Sequence, residues 1–206
     1  MRERSSFEAE TSPMNPIRWA RAEVLHLAWK NGRYTPPDRR LFVDEILSLI
    51  ASDDANQRVL SVGVAWYTTG YAKLFTGKTF VTLDVDESRA QFATTQHVVG
   101  DLRDLERHFD ARLPFDVILM NGVIGYGLDT MDDVDRALRE CAARLRPGGL
   151  LVLGVNELKA THVDPNSVPA SRLFRPAPFG AWPEGRVTIA IPFRERTHTF
   201  MFWRRR

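Results

Sequence analysis

Between residues 58 and 155 the chain repeats one pattern: a short apolar run, a turn, and a helical or turn-rich stretch. The runs are 59–62 (VLSV), 79–83 (TFVTL), 96–99 (QHVV), 115–120 (FDVILM) and 150–155 (LLVLGV). Runs this short and this continuously apolar are the signature of strands covered on both faces, as in a parallel sheet. Alternation with helical segments implies right-handed crossovers that return each strand beside an earlier one. Ligands in such sheets bind beyond the carboxyl ends of the strands, where the strand order reverses. The residues that end the five runs are Gly63, Asp84, Asp101, Asn121-Gly122 and Asn156-Glu157, all polar or glycine. The chain is therefore expected to hold a nucleoside-containing ligand at one end of a sheet.

The flanks complete an α/β domain. Residues 1–14 are poor in apolar side chains and read as a disordered leader. Residues 15–56 read as a helical cap and 57–206 as the core of a single domain. The first helix begins near Pro16, with Ile17, Ala20, Val24, Leu27 and Ala28 at helical spacing and Gly32 as a stop. The second follows Pro36-Pro37 and carries Leu41, Phe42, Ile46, Leu49 and Ile50. Thr130 and Asp133 make a capping-box start for a helix striped by Val134, Leu138, Cys141 and Leu145, which Pro147-Gly148-Gly149 ends. The proline-bearing stretch after residue 157 is too long for a simple connection and reads as a lid or substrate-facing segment. Alternation of Val187, Ile189 and Ile191, then of His198, Phe200 and Phe202, predicts a closing antiparallel hairpin. The expected fold is a Rossmann-like, mostly parallel seven-stranded sheet with that hairpin and the helical cap.

Composition excludes several classes. With 44% apolar residues the chain can bury a core, yet no stretch approaches the ~20 apolar residues of a membrane span. A net charge of +2 gives no reason to place a nucleic acid, and Arg204-Arg205-Arg206 reads as a solvated end. One cysteine and no secretory signal point to the cytoplasm. The five histidines lack zinc-ligand spacing, so no metal is expected.

Asp84 lies 21 positions after Gly63, the distance at which an acidic side chain accepts from a ribose's hydroxyls. A turn-forming aspartate would look the same. A dinucleotide needs Gly-x-Gly-x-x-Gly for its pyrophosphate, whereas this turn reads Gly63-Val64-Ala65-Trp66-Tyr67-Thr68. Bulk at Trp66 and Tyr67 crowds a pyrophosphate but not a cofactor without phosphate.

Taken in order, VLSVGVAWYTTG, TLDVDES, VVGDL, FDVILMNGV, LRPGGLLVLGVNE and HTFMFW resemble the motifs of the class I S-adenosylmethionine-dependent methyltransferases. The resemblance runs from about residue 59 to the C-terminus. It implies S-adenosyl-L-methionine as cofactor and S-adenosyl-L-homocysteine as product. By similarity Gly63, with Val64, Trp66 and Thr69 of its turn, lines the methionine end, and Asp84 with Val85 holds the ribose. Asp101 accepts from the adenine amino group, Leu102 packs on the ring, and Asn121 and Gly122 face the methyl. Within the family the chain is most similar to a bacterial subgroup with a V-G-V-x-W-Y-T first motif and N-G-V-x-G-x-G after the fourth strand. Ser61, Ala65 and Tyr67 depart from the usual acidic residue and glycines.

Methyl transfer is a displacement at an already activated carbon, so alignment supplies much of the catalysis and a general base serves only some acceptors. His26 and Glu157 are the candidate bases, and Trp19, Tyr34, Tyr126 and His162 the candidate acceptor contacts. Each has an ordinary packing or surface reading beside the functional one. Trp19, Trp29, Phe174, Phe179 and Trp182 suit either an apolar acceptor pocket or plain packing of a cap. The expected function is methylation of a small-molecule acceptor, in specialised or glycan-related metabolism, by a monomer or homodimer. The alternatives are a cofactor-binding regulator or partner subunit without catalysis and, disfavoured by Ala65 and Tyr67, a nicotinamide-dependent oxidoreductase.

Overall fold

The computed structural model describes residues 16–157, 163–193 and 196–206; the leader at 1–14 and His162 lie outside them. Helix α1 spans Pro16–Lys30 and α2 spans 37–52, with π-helical turns over Leu41–Leu47. The strands follow as β1 (Arg58–Val62), β2 (Thr79–Asp84), β3 (His97–Val99) and β4 (Phe115–Asn121). After α3 (Met131–Arg144) come β5 (Leu145–Glu157), β6 (Phe174–Pro176), β7 (Arg186–Ala190) and β8 (Thr197–Arg205). The turns after β1, β2 and β3 are 3₁₀ helices rather than full α-helices.

The eight strands among the described residues form one sheet in the order β3-β2-β1-β4-β5-β8-β6, with β7 also on β8. Neighbours from β3 to β5 are parallel, and β8 runs antiparallel to β5, β6 and β7. The sheet thus has the expected seven positions, the last shared by β6 and β7. β6 was not foreseen, because its FRP sequence is too short to show alternation. The chain moves outward from β1 to β3 and then crosses back to β4, so the order reverses between β1 and β4. That is where a ligand crevice opens.

Strand alternation divides the core between two faces. Leu60, Leu83, Ile118 and Leu153 pack with Val134, Leu138 and Cys141 of α3 on one face. Val59, Val117, Leu119 and Val152 pack with Phe42, Ile46, Leu47 and Ile50 of α2 on the other. Each such fully buried side chain stabilises the fold by about 1.5–3 kcal/mol relative to exposure. The Thr130–Asp133 capping box starts α3 as expected, with Asp133 N donating to Thr130 Oγ1 at 3.1 Å. Cys141 is fully buried, and burial raises its thiol pKa well above the ordinary value, so it stays a core thiol.

Two helix faces differ from expectation. On α1 the inward residues are Ala22, Leu25, His26 and Trp29, whereas Ile17, Val24 and Leu27 are exposed. In α2 the π turns add residues per turn and delay the phase, so Leu47 points inward and Leu49 turns out. The proline-bearing stretch is no lid over its described part, 163–185. It forms 3₁₀ turns, β6 and a loop that extend the sheet edge and pack on α3, with Ala170 N donating to Asp135 Oδ1 at 2.5 Å. Phe174 packs on Trp203, and Phe179 and Trp182 stack on Phe202, so all three serve the core. The terminal arginines are tied to the fold as well as solvated: Arg204, Arg205 and Arg206 donate to the carbonyls of Gly148, Leu145 and Phe174, and Arg206 stays exposed. Among the described residues no helix is long and apolar enough to cross a membrane.

Candidate functional site

The crevice predicted by the strand order is present as a cavity of about 780 Å³, within the range of small-molecule sites. It lies over the carboxyl ends of β1, β2 and β4 and is closed by α1, the start of α2 and the turn before β8.

One end is built by the β1, β2 and β3 termini. Gly63 adopts a φ of 84°, which L side chains rarely tolerate, and turns the chain away from the sheet. Asp84 fixes this turn: its Oδ2 accepts from Val64 N at 2.6 Å and its Oδ1 from Asp86 N at 2.9 Å. Each oxygen keeps acceptor capacity for a ligand at the cavity edge. Asp101 is more heavily engaged. It accepts from Arg103 N, Nε and Nη2, and Arg103 reaches on to Asp133. Those bonds hold the Asp101 carboxyl below its usual range. Leu102 is buried beside it.

The other end lies at the β4 terminus. His198, at the start of β8, is fully buried between two amides: Nε2 is 3.0 Å from Asn121 Oδ1 and Nδ1 is 3.0 Å from Asn156 Oδ1. Burial first, and then the nearby Arg39 and Arg196, push its pKa down to about 3, so the ring is neutral at pH 7. A neutral imidazole donates at one nitrogen and accepts at the other, so one asparagine must present its amide N–H₂ to the ring. Gly154 makes room for the pair, since a Cβ there would stand 2.7 Å from Asn121 Cγ and 2.9 Å from His198 Nε2. The wall opposite is aromatic. Trp29 stacks on Tyr67 with ring centres 5.0 Å apart and tilts against Trp66 at 4.8 Å. Arg39 sits over Tyr67, 4.5 Å from the ring centre.

The cavity brings together Gly63, Val64, Trp66, Asp84, Val85, Asp101, Leu102, Asn121, Gly122, His26, Tyr34 and Tyr126. It does not include Trp19, Thr69 or Glu157. Trp19 lies on the outer face of α1 and is 54% exposed. Thr69 opens instead on a smaller cavity of about 380 Å³ behind the Trp29, Tyr67 and Arg39 wall. Glu157 is one residue past Asn156, so the strand's alternation aims it away, where it accepts from Thr197 at 3.0 Å and Thr199 at 2.6 Å. Asp38, Arg39, Tyr71 and Arg196 line the cavity and His198 packs behind Asn121 at its β4 end, and none of these was among the expected residues. Among the described residues no cluster of His, Cys, Asp or Glu could hold a metal ion.

Comparison with known proteins agrees with this geometry. The family model described as "Methyltransferase domain" matches residues 60–153. The fold is similar to N-methyltransferase NodS from Bradyrhizobium japonicum WM9, with TM-score 0.61 and 18% identity over 82% of this chain and 97% of that one. It is also similar to 1,6-didemethyltoxoflavin-N1-methyltransferase from Burkholderia thailandensis, with TM-score 0.53 and 14% identity over 96% and 93% of the two chains. Among curated proteins no sequence matches.

Proposed function

We propose that the chain is a class I methyltransferase and that it transfers the methyl group of S-adenosyl-L-methionine to a small organic acceptor. The observation that carries this reading is one cavity in which Asp84 and the Gly63 turn face Asn121 and Gly122 across the strand-order reversal.

The residues fit a nucleoside cofactor without phosphate. Asp84 keeps lone pairs for ribose hydroxyls while its bond to Val64 N holds the turn that the methionine end would meet. This bond also supplies what Ser61 does not, a carboxylate fixing the loop's backbone. Leu102 offers an apolar edge for the adenine, whereas Asp101 shares its oxygens with Arg103 and can give the amino group only part of its capacity. When bound, the cofactor supplies a methyl carbon activated by a sulfonium. The chain supplies orientation, which can be worth an effective molarity on the order of 10⁵–10⁸ M in well-aligned cases. The neutral His198 holds Asn121 at the β4 end, and α1 with its aromatic wall excludes water. His26, edge-on to Trp29 at 6.0 Å, is the candidate base that lines the cavity. The B. thailandensis neighbour holds 1,6-didemethyltoxoflavin, which supports a small acceptor in this fold.

A second reading, a cofactor-binding protein without turnover, is favoured by the bulky Trp66-Tyr67 turn and by Arg103's hold on Asp101. Calorimetric titration separates the possibilities. S-adenosyl-L-methionine should bind the wild type, and Asp84→Asn should weaken it by about 1.5–3 kcal/mol through loss of charged hydrogen bonds. No binding at millimolar cofactor refutes both readings. Binding without product across a broad acceptor panel favours the second.

A further inference from the structure

We propose that the acceptor carries an anionic group, a carboxylate or phosphate, held by Arg39 and Arg196 at the β4 end of the cavity. This deepens the methyltransferase reading and rests on it for the acceptor's position.

Arg39 is nearly enclosed, with 15% of its side chain exposed, yet its guanidinium faces the cavity. Its Nη2 stands 3.9 Å from where a Cβ on Gly122 would lie, so the fork abuts the end of β4. The Tyr67 ring lies under the fork and holds one of its faces. Its carboxylate neighbour, Asp38, is 3.6 Å away through Nε, well beyond the roughly 2.8 Å of a charge-assisted hydrogen bond. Arg196 enters from the turn before β8, and its buried Nε has no hydrogen-bond partner. Both arginines lower the pKa of His198, so both fields reach the same buried spot.

Two arginines against one aspartate leave this end of the cavity net positive. Desolvated guanidinium groups without close acceptors are costly, and an anion supplies what the chain leaves out. A planar fork stacked on an aromatic ring suits bidentate binding of a carboxylate or phosphate. The Trp29–Trp66–Tyr67 wall favours a flat, partly apolar body on that anion. Asp38 adds a second polar point: it is 7% exposed, and its Oδ1 has no partner, so it can accept from an N–H or O–H of the same molecule.

The test is calorimetric titration of benzoate, phenyl phosphate and benzamide into the full chain, with and without saturating S-adenosyl-L-homocysteine. At least one anion should bind about tenfold or more tightly than neutral benzamide, and benzoate against phenyl phosphate tells carboxylate from phosphate. Arg196→Met and Arg39→Met should each weaken that anion about tenfold, and Arg39→Lys should lose part of it by losing the fork. Benzamide binding as well as both anions, no anion binding at millimolar concentration, or anion affinity unchanged in Arg196→Met and Arg39→Lys overturns the proposal. If Arg39→Met does not fold, the other two variants decide. Anion binding that survives while S-adenosyl-L-homocysteine fails to bind overturns the cofactor reading and leaves the anion site standing.

Discussion

The buried His198 makes the fold's stability depend on pH in a calculable way. In the unfolded chain an imidazole titrates near 6.5, and burial between Asn121 and Asn156 pushes the folded value down to about 3. Below 6.5 the unfolded state binds a proton that the native state refuses, so stability falls as pH falls and is complete above 6.5. Each pH unit below that point costs about 1.4 kcal/mol until the folded pKa is reached. Acidification from pH 7 to pH 5 therefore removes about 2 kcal/mol through this one ring. Urea unfolding followed by tryptophan fluorescence at the two pH values measures the loss. His198→Gln keeps an amide that can bond both asparagines and removes the titration. The wild type should lose about 2 kcal/mol more than His198→Gln over the same interval. Carboxylates held low by their partners, such as Asp101 and Asp133, are present in both proteins and cancel. Equal losses would show that His198 is not held neutral by burial. Nitrogen NMR of the wild-type ring gives the same answer without a variant, since an imidazolium at pH 5 refutes the reasoning.

Two further substitutions probe the same region. Gly154→Ala puts a methyl 2.7 Å from Asn121 Cγ, and such overpacking should cost about 1–3 kcal/mol, a drop of several degrees in Tm that differential scanning calorimetry resolves. An unchanged Tm would mean that the Asn121–His198 pair is not packed over Gly154. Glu157→Gln should leave kcat within about twofold, because the side chain faces Thr197 and Thr199 rather than the cavity. A loss of tenfold or more in steady-state assays would return Glu157 to the site as a base.

Much of the frame was legible because parallel sheets are so constrained. Continuous apolar runs such as FDVILM require cover on both faces, crossovers are right-handed, and the carboxyl ends then share one edge. Asp84, Asp101 and Asn121 could be placed along that edge from strand ends alone. The cap was less legible. On α1 two stripes compete, and the more apolar one, Ile17–Val24–Leu27, faces outward. The inward stripe wins because Trp29 meets Trp66 and Tyr67, a contact between residues almost forty positions apart that periodicity cannot register. Nothing local in the sequence marks Asp38 or Arg39 as bound for a cavity.

The β4 end of the cavity was hidden for a topological reason. Surveying where strands finish finds site residues only on parallel strands. β8 runs the other way beside β5, so it starts where the others finish, with Asn156 paired to His198 and Glu157 to Thr197. The first residues of an antiparallel strand in this sheet, and the turn before it, therefore arrive at the same edge as Asp84 and Asn121. Arg196 and His198 were reachable by that rule, since HTFMFW was already read as the closing antiparallel strand. Its starting end belonged among the candidates as much as the finishing ends of β1 to β5. The same geometry explains why Glu157 left the site: Asn156 and His198 are directly paired and point to one side, so the next residue along β5 must point to the other.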